Sequence, residues 1–113
     1  MTTHGITVIR TPLARWKMLL LWRWLLVRPG YGLSQQVYTH EGIHLCQMRE
    51  MTAAGFYLWY AVEYAVKLVA AMSWERAYRS VSFEQEAYGN EGDVTWCDAR
   101  PRRYWKQYVF RLR

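Results

Sequence analysis

Two hydrophobic patterns divide the chain. Up to about residue 30 the apolar residues come in short runs rich in strand formers, and beyond Ser34 they recur at helical spacing. The first runs are Ile-Thr-Val-Ile at 6–9 and Leu-Leu-Leu-Trp-Arg-Trp-Leu-Leu-Val at 19–27. Pro12 lies between them and the turn signal Pro29-Gly30 closes the second. They predict two strands, paired or at a sheet edge, although the second run also suits a helix. Ser34 then offers an N-cap for a helix reaching about Thr52, with Gly55 as its stop. Gly42 inside it costs roughly 1 kcal/mol against Ala, and its missing Cβ lets another segment approach closely.

A second helix over 56–72 is apolar nearly all round, with Phe56, Trp59, Tyr60 and Tyr64 supplying the bulk of a core stripe. Ser73 caps a short helix over 74–79. Ser82-Phe-Glu-Gln85 has the form of a capping box and starts a helix that runs to Tyr88 or Gly89. Residues 89–93 form a turn, 94–99 add a turn of helix that stops before Pro101, and 102–110 suit a final basic amphipathic helix. The expected class is α+β, mainly helical, with a small N-terminal hairpin or edge strand.

A chain of 113 residues predicts one domain, 1–113, with one core and no room for two lobes. At 52% apolar residues it is globular rather than disordered. The net charge of +6 is unevenly spread: residues 1–28 and 100–113 carry basic side chains and no acid, and every carboxylate lies between Glu41 and Asp98. Basic ends that fold back on an acidic middle account for this. A membrane surface is the sharper alternative, and nucleic acid is the least favoured partner. Cys46 and Cys97 make neither a disulfide framework nor a C-x-x-C pair and read as reduced thiols.

The run Met18–Val27 is broken by Arg23 and lacks a following cleavage site, so it does not have a signal peptide's layout. Residues 55–72 hold Glu63 and Lys67 near their middle, in the favourable i to i+4 order. They read as a buried central helix rather than a membrane span. A cytoplasmic location follows, with membrane association as the alternative.

The candidate chemistry is His40-Glu41-Gly-Ile-His44, an H-E-x-x-H segment on the first helix. Residues four apart stack on one helix face, so His40 and His44 can share a metal ion while Glu41 reaches a water on it. The chain has three His in all, and Gln47 continues the polar face one turn on. A catalytic zinc needs a third protein ligand and an open position. No His follows His44, which leaves Glu50, Glu63, Glu84 and Glu86. Glu50 is turned off the face and Lys67 explains Glu63, whereas Glu84 and Glu86 sit on a separate helix able to pack across the first.

Phe83-Glu84-Gln85-Glu86-Ala87-Tyr88 resembles the E-x-x-A segment of gluzincin-type zinc metallopeptidases. Taken with the motif and the aromatic helix, residues 19–90 are most similar to small single-domain minigluzincin-like proteins. The resemblance implies a zincin-like core in which His40, His44 and Glu84 bind zinc and Glu41 is the general base. Tyr88, four residues after Glu84 on the same face, and Gln47, one turn past His44, are the candidate outer partners of the ligands. The Asp that follows the Ala in the related CAAX prenyl proteases is Tyr88 here, which removes the usual carboxylate behind a ligand His. Peptide-bond hydrolysis by a metal-activated water is the implied reaction. A peptide or protein substrate would be added along an edge strand, with 19–27 as the candidate. The short chain leaves little for a second lobe, so a protein partner could complete the cleft. A non-catalytic interaction or membrane-associated protein with a structural or vestigial metal is the alternative on the same fold.

Overall fold

Strands precede helices and the fold is α+β, mainly helical, with a small sheet near the N-terminus. The computed structural model describes residues 2–12 and 18–113, so Arg15 and Lys17 of the basic N-terminal end lie outside the described residues. Strands β1 (Thr7–Arg10), β2 (Met18–Leu21) and β3 (Trp24–Val27) are followed by helices α1 (Gln35–Ala71), α2 (Trp74–Ser80), α3 (Ser82–Asn90) and α4 (Trp96–Ala99).

The run 19–27 is not one strand. It folds into a β2–β3 hairpin whose two-residue turn is Trp22-Arg23, with Trp22 at a left-handed φ of 54°. That conformation is costly for a bulky residue, and nothing like Asn-Gly marks it in the sequence. The sheet order is β1-β3-β2, with β1 parallel and β2 antiparallel to β3. Leu25 and Val27 of β3 point inward and are fully buried. Alternate residues face opposite sides of the sheet, so one face reaches the core.

Two helices were expected over 34–72, and α1 is two helical arms joined by a break. Met51 and Thr52 leave helical geometry, Thr52 at a φ of 67°. The Thr52 hydroxyl accepts the Gly55 N–H at 3.2 Å, so Thr52 caps the second arm. Gly55 therefore lies in the first turn of that arm instead of stopping the one before. Ser34 and Ser73 cap α1 and α2 as expected, their hydroxyls accepting from Val37 and Arg76.

Ser82 does not form the expected capping box: Val81 is the N-cap residue of α3 and makes no side-chain cap bond. Gln85 instead donates to the carbonyls of Ser80 and Arg111, both at 2.8 Å. The carboxylate of Glu63 takes over the capping, accepting the Ser82 N–H and hydroxyl, both at 2.6 Å. At the C-terminus the expected helix over 102–110 is only a 3₁₀ turn, Tyr104–Tyr108. Lys67 at 3.0 Å and Gln85 at 3.3 Å both donate to the Tyr108 carbonyl, which holds this segment against α1 and α3.

The core lies where sheet, second arm and α3 meet. Phe83 is fully buried, stacked on Phe56 at 4.5 Å and touched edge-on by Trp105 at 4.8 Å. Cys46 and Cys97 are joined in a disulfide across 6.3 Å between Cα atoms, not reduced as expected. The second arm is not a buried central helix either. Glu63 and Lys67 face the core as an ion pair at 2.7 Å, and the opposite side of the arm is exposed.

Gly42 does what its missing Cβ suggests. A Cβ there would lie 2.6 Å from His4 Cβ and 2.7 Å from His4 Cγ, near the backbone, where little can move. His4 itself sits at a φ of 55°. We expect Gly42→Ala to lower the thermal midpoint by several degrees, on the order of 1–3 kcal/mol. Adding His4→Gly, which removes the opposing Cβ and relaxes that φ, should restore most of the loss. Calorimetry showing Gly42→Ala equal to wild type would contradict the contact.

Candidate metal centre

The first arm of α1 presents His40, Glu41 and His44 on one side, and α3 lays Glu84 across them. One oxygen of Glu84 lies 3.0 Å from His40 Nε2 and 3.2 Å from His44 Nε2. The two rings are 4.9 Å apart at 81°. Among the described residues these three form a group whose ligand atoms all lie within 4.8 Å of one another, and all three side chains are buried.

What lies behind each ring decides which nitrogen faces the centre. Gln47 donates its amide N–H bonds to Glu86 Oε1 and to the Phe83 carbonyl, both at 3.1 Å, and both partners only accept. Its carbonyl oxygen must then face His44 Nδ1, 2.8 Å away, and accept a proton from it. Glu86 is fixed in turn by Arg100, which donates at 2.5 and 2.8 Å, and by the Trp96 indole N–H at 2.9 Å. Behind the other ring, His40 Nδ1 donates to Glu91 at 2.7 Å, and Gln36 donates to the other Glu91 oxygen at the same distance. Both rings are thus Nδ1–H tautomers when neutral, with Nε2 lone pairs turned towards Glu84.

Two lone pairs aimed at a carboxylate oxygen repel unless something positive lies between them. Without a metal, that role falls to protons. Burial alone would lower the His44 pKa, but the Glu84 carboxylate overrides it and raises it to about 9. His40 is raised as well, the hydrogen bond to Glu84 outweighing its burial. Burial would raise Glu84, and the imidazoles instead hold it well below the usual carboxylate range. The donor set fits a divalent cation: two neutral imidazole nitrogens and one carboxylate oxygen, each oriented from behind, as a His₂Glu zinc site requires.

The place of Glu84 is set by the α2–α3 corner. Lys67 donates to the Ser80 carbonyl while its ion-pair partner Glu63 accepts from Ser82, so one buried pair grips both sides of Val81. Removing one member of such a pair costs about 3–5 kcal/mol. Phe83 anchors the next residue in the core. Tyr60 on the second arm donates to the remaining Glu84 oxygen at 2.7 Å.

The centre opens into a cleft of about 690 Å³ lined by β2, both arms of α1 and α3. Glu41 lies in its wall, partly buried, and burial raises its pKa. Tyr57, Tyr78 and Tyr88 line the same cleft. Of the run expected to offer an edge, β3 is central and only β2 lies at the rim. The Tyr57 hydroxyl occupies part of that rim, accepting from the Trp22 N–H at 2.7 Å and donating to the Leu20 carbonyl at 3.0 Å.

His40, Glu41, His44, Glu84 and Gln47 are brought together. Glu50 and Glu86 both bind Arg100, and Glu63 caps α3, so none of these three reaches the centre. Tyr88 lies against the His40 ring at 4.6 Å, but its hydroxyl bonds Tyr78 at 3.3 Å rather than a ligand. The carboxylate support lost with the Asp-to-Tyr change comes from Glu91. It lies seven residues past Glu84 on the same helical face, a spacing that could have identified it. Tyr60 and Arg100 carried no comparable signal, because an aromatic stripe and a basic tail look the same whatever they bond. No family model, no curated protein and no solved structure matches this chain.

The raised histidine values set the pH dependence of the metal-free protein. A pKa of about 9 in the folded chain against 6.5 unfolded gives stability that is full below pH 6.5 and lost as the pH rises through about 9. The depressed Glu84 contributes above pH 4.5 and loses its contribution as the pH falls. Melting curves of chelator-treated protein should therefore fall by on the order of 5 °C between pH 6.5 and 9. Zinc-loaded protein should show no such fall, and a flat metal-free profile would contradict the arrangement.

Proposed function

We propose that the chain is a zinc metallopeptidase-like hydrolase of the minigluzincin kind, in which His40, His44 and Glu84 hold the metal and Glu41 is the general base. The observation that supports it most is the fixed orientation of both imidazoles, with Nε2 aimed at the Glu84 oxygen. When bound, zinc would polarise a substrate carbonyl and bring the pKa of a water towards neutrality. Glu41 lies in the same cleft with its pKa raised by burial, and a carboxylate there can accept a proton from the attacking water and return it to the leaving amine. Tyr88 donates its hydroxyl proton to Tyr78 on the cleft wall, which leaves the Tyr78 hydroxyl as a neutral donor on that side. The substrate is a peptide lying along the β2 rim, where Tyr57 already fills the positions at Leu20 and Trp22 and limits its reach.

Metal analysis and a peptide-cleavage assay test this together. Wild type should carry zinc near one per chain, and His44→Ala and Glu84→Ala should lose it. Glu41→Gln should keep the metal and lower cleavage by about a thousandfold or more. Cleavage that persists in Glu41→Gln would rule out the general base. Zinc retained by Glu84→Ala would rule out the ligand set. Stoichiometric zinc with no cleavage of any peptide library would leave the non-catalytic alternative.

A further inference from the structure

The second arm of α1 is built the wrong way round for a helix facing water. Its two charged residues, Glu63 and Lys67, are buried, and every exposed residue from Ala54 to Met72 is Ala, Val, Leu, Met, Tyr or Trp. Leu58, Val62, Val66 and Val69 recur at spacings of four, four and three, so they form one stripe, and they are 56–75% exposed. At 1.5 Å per residue the arm is about 28 Å long. A continuous aliphatic face of that length is not left to water. Among the described residues no helix is long and apolar enough to cross a membrane.

The two ends of the stripe are furnished alike. Tyr57, next to Leu58, bonds Trp22 at the tip of the hairpin, and the Arg23 guanidinium lies 5.0 Å from the Trp22 ring. At the far end Trp74 is exposed and stacks on Tyr64 at 6.3 Å. Beside it Arg76 donates to the Arg113 carbonyl, which brings the basic C-terminal segment alongside. An aliphatic face flanked at each end by Trp and Arg suits a helix lying in a bilayer interface, the aliphatic side chains dipping towards the acyl chains and the Trp and Arg side chains reaching the headgroups around them.

Charge then selects the occupant. Six of the nine carboxylates are drawn inward at the metal centre or in the networks around it, leaving Glu75, Asp93 and Asp98 as the exposed acids. Among the described residues, eleven exposed Arg and Lys side chains face those three. A second copy docked on this stripe would set basic rim against basic rim, and the exposed acid at one end, Glu75, is already paired with Arg79 at 3.5 Å. A nucleic acid would use the arginines and leave the aliphatic face wet. We propose that the outer face of the second arm, with Trp22, Arg23, Trp74 and Arg76 at its ends, docks the protein peripherally on an anionic lipid bilayer. The helix lies in the plane of the interface.

Co-sedimentation of the full chain with vesicles tests the proposal. One set is pure phosphatidylcholine and the other holds about a third phosphatidylglycerol, where binding should be at least about tenfold tighter and should weaken with salt. Val62→Gln/Val69→Gln, exposed positions remote from the centre, should weaken binding by about tenfold or more while keeping wild-type circular dichroism and zinc content. Arg76→Gln/Arg113→Gln should remove most of the preference for anionic lipid. Equal binding to both vesicles, or binding untouched by the valine pair, would overturn it. So would a concentration-dependent dimer in sedimentation equilibrium that the valine pair dissolves, which would assign the face to a second copy.

Discussion

A carboxylate sunk between two imidazoles is the constraint on which the rest of this chain depends. Glu84 is 4% exposed, and burying a charge so deeply is costly unless every lone pair finds a partner. Here one oxygen meets His40 and His44 and the other meets Tyr60. Each of those groups is held in turn: His44 by Gln47, Gln47 by Glu86, Glu86 by Arg100, and His40 by Glu91. Donation runs outward from His44 through Gln47 to Glu86, which Arg100 meets as a donor from the far side, and outward from His40 to Glu91, which leaves the Nε2 lone pairs facing inward. The orientation of the two imidazoles around Glu84 therefore follows from bonds made further out, at Gln47, Glu86 and Glu91.

A few strong ties hold the arrangement in place. The break at Met51 and Thr52 lets one helix serve twice, the first arm carrying the motif and the second arm carrying Tyr60 and the Glu63–Lys67 pair. That pair grips the corner before Glu84. The disulfide binds α4, with Trp96 and Arg100 at its ends, to the motif arm beside Gln47. Turning so many carboxylates inward has a further consequence. The surface is left more basic than the net charge of +6 suggests, and the same inward turn of Glu63 and Lys67 strips the outer face of the second arm of charge.

Helical spacing made the later elements legible: Ser34 and Ser73 as caps, the α3 segment and the stacking of His40 on His44 follow from periodicity and capping chemistry, whereas the choice of Glu84 over Glu86 rested on the resemblance to gluzincin-type proteins. The misreadings have separate physical causes. The hairpin turn uses Trp22 at positive φ where Gly or Asn is the usual sign, so 19–27 looked continuous. Ser82 and Gln85 satisfy the capping-box pattern, yet a distant carboxylate outcompetes it. Cys46 and Cys97 lie 51 residues apart, and no local pattern reports that α4 folds back over the motif arm. The apolar second arm looked like core because hydrophobicity alone does not say which face its two charges take.

X-ray absorption at the zinc edge of the loaded protein tests the central claim most directly, because it reads the ligand atoms themselves. The predicted spectrum has a first shell of nitrogen and oxygen at about 2.0–2.2 Å, with outer-shell scattering from two imidazole rings. A sulfur shell near about 2.3 Å, or scattering from fewer than two imidazoles, would contradict the assignment of His40, His44 and Glu84 as the site.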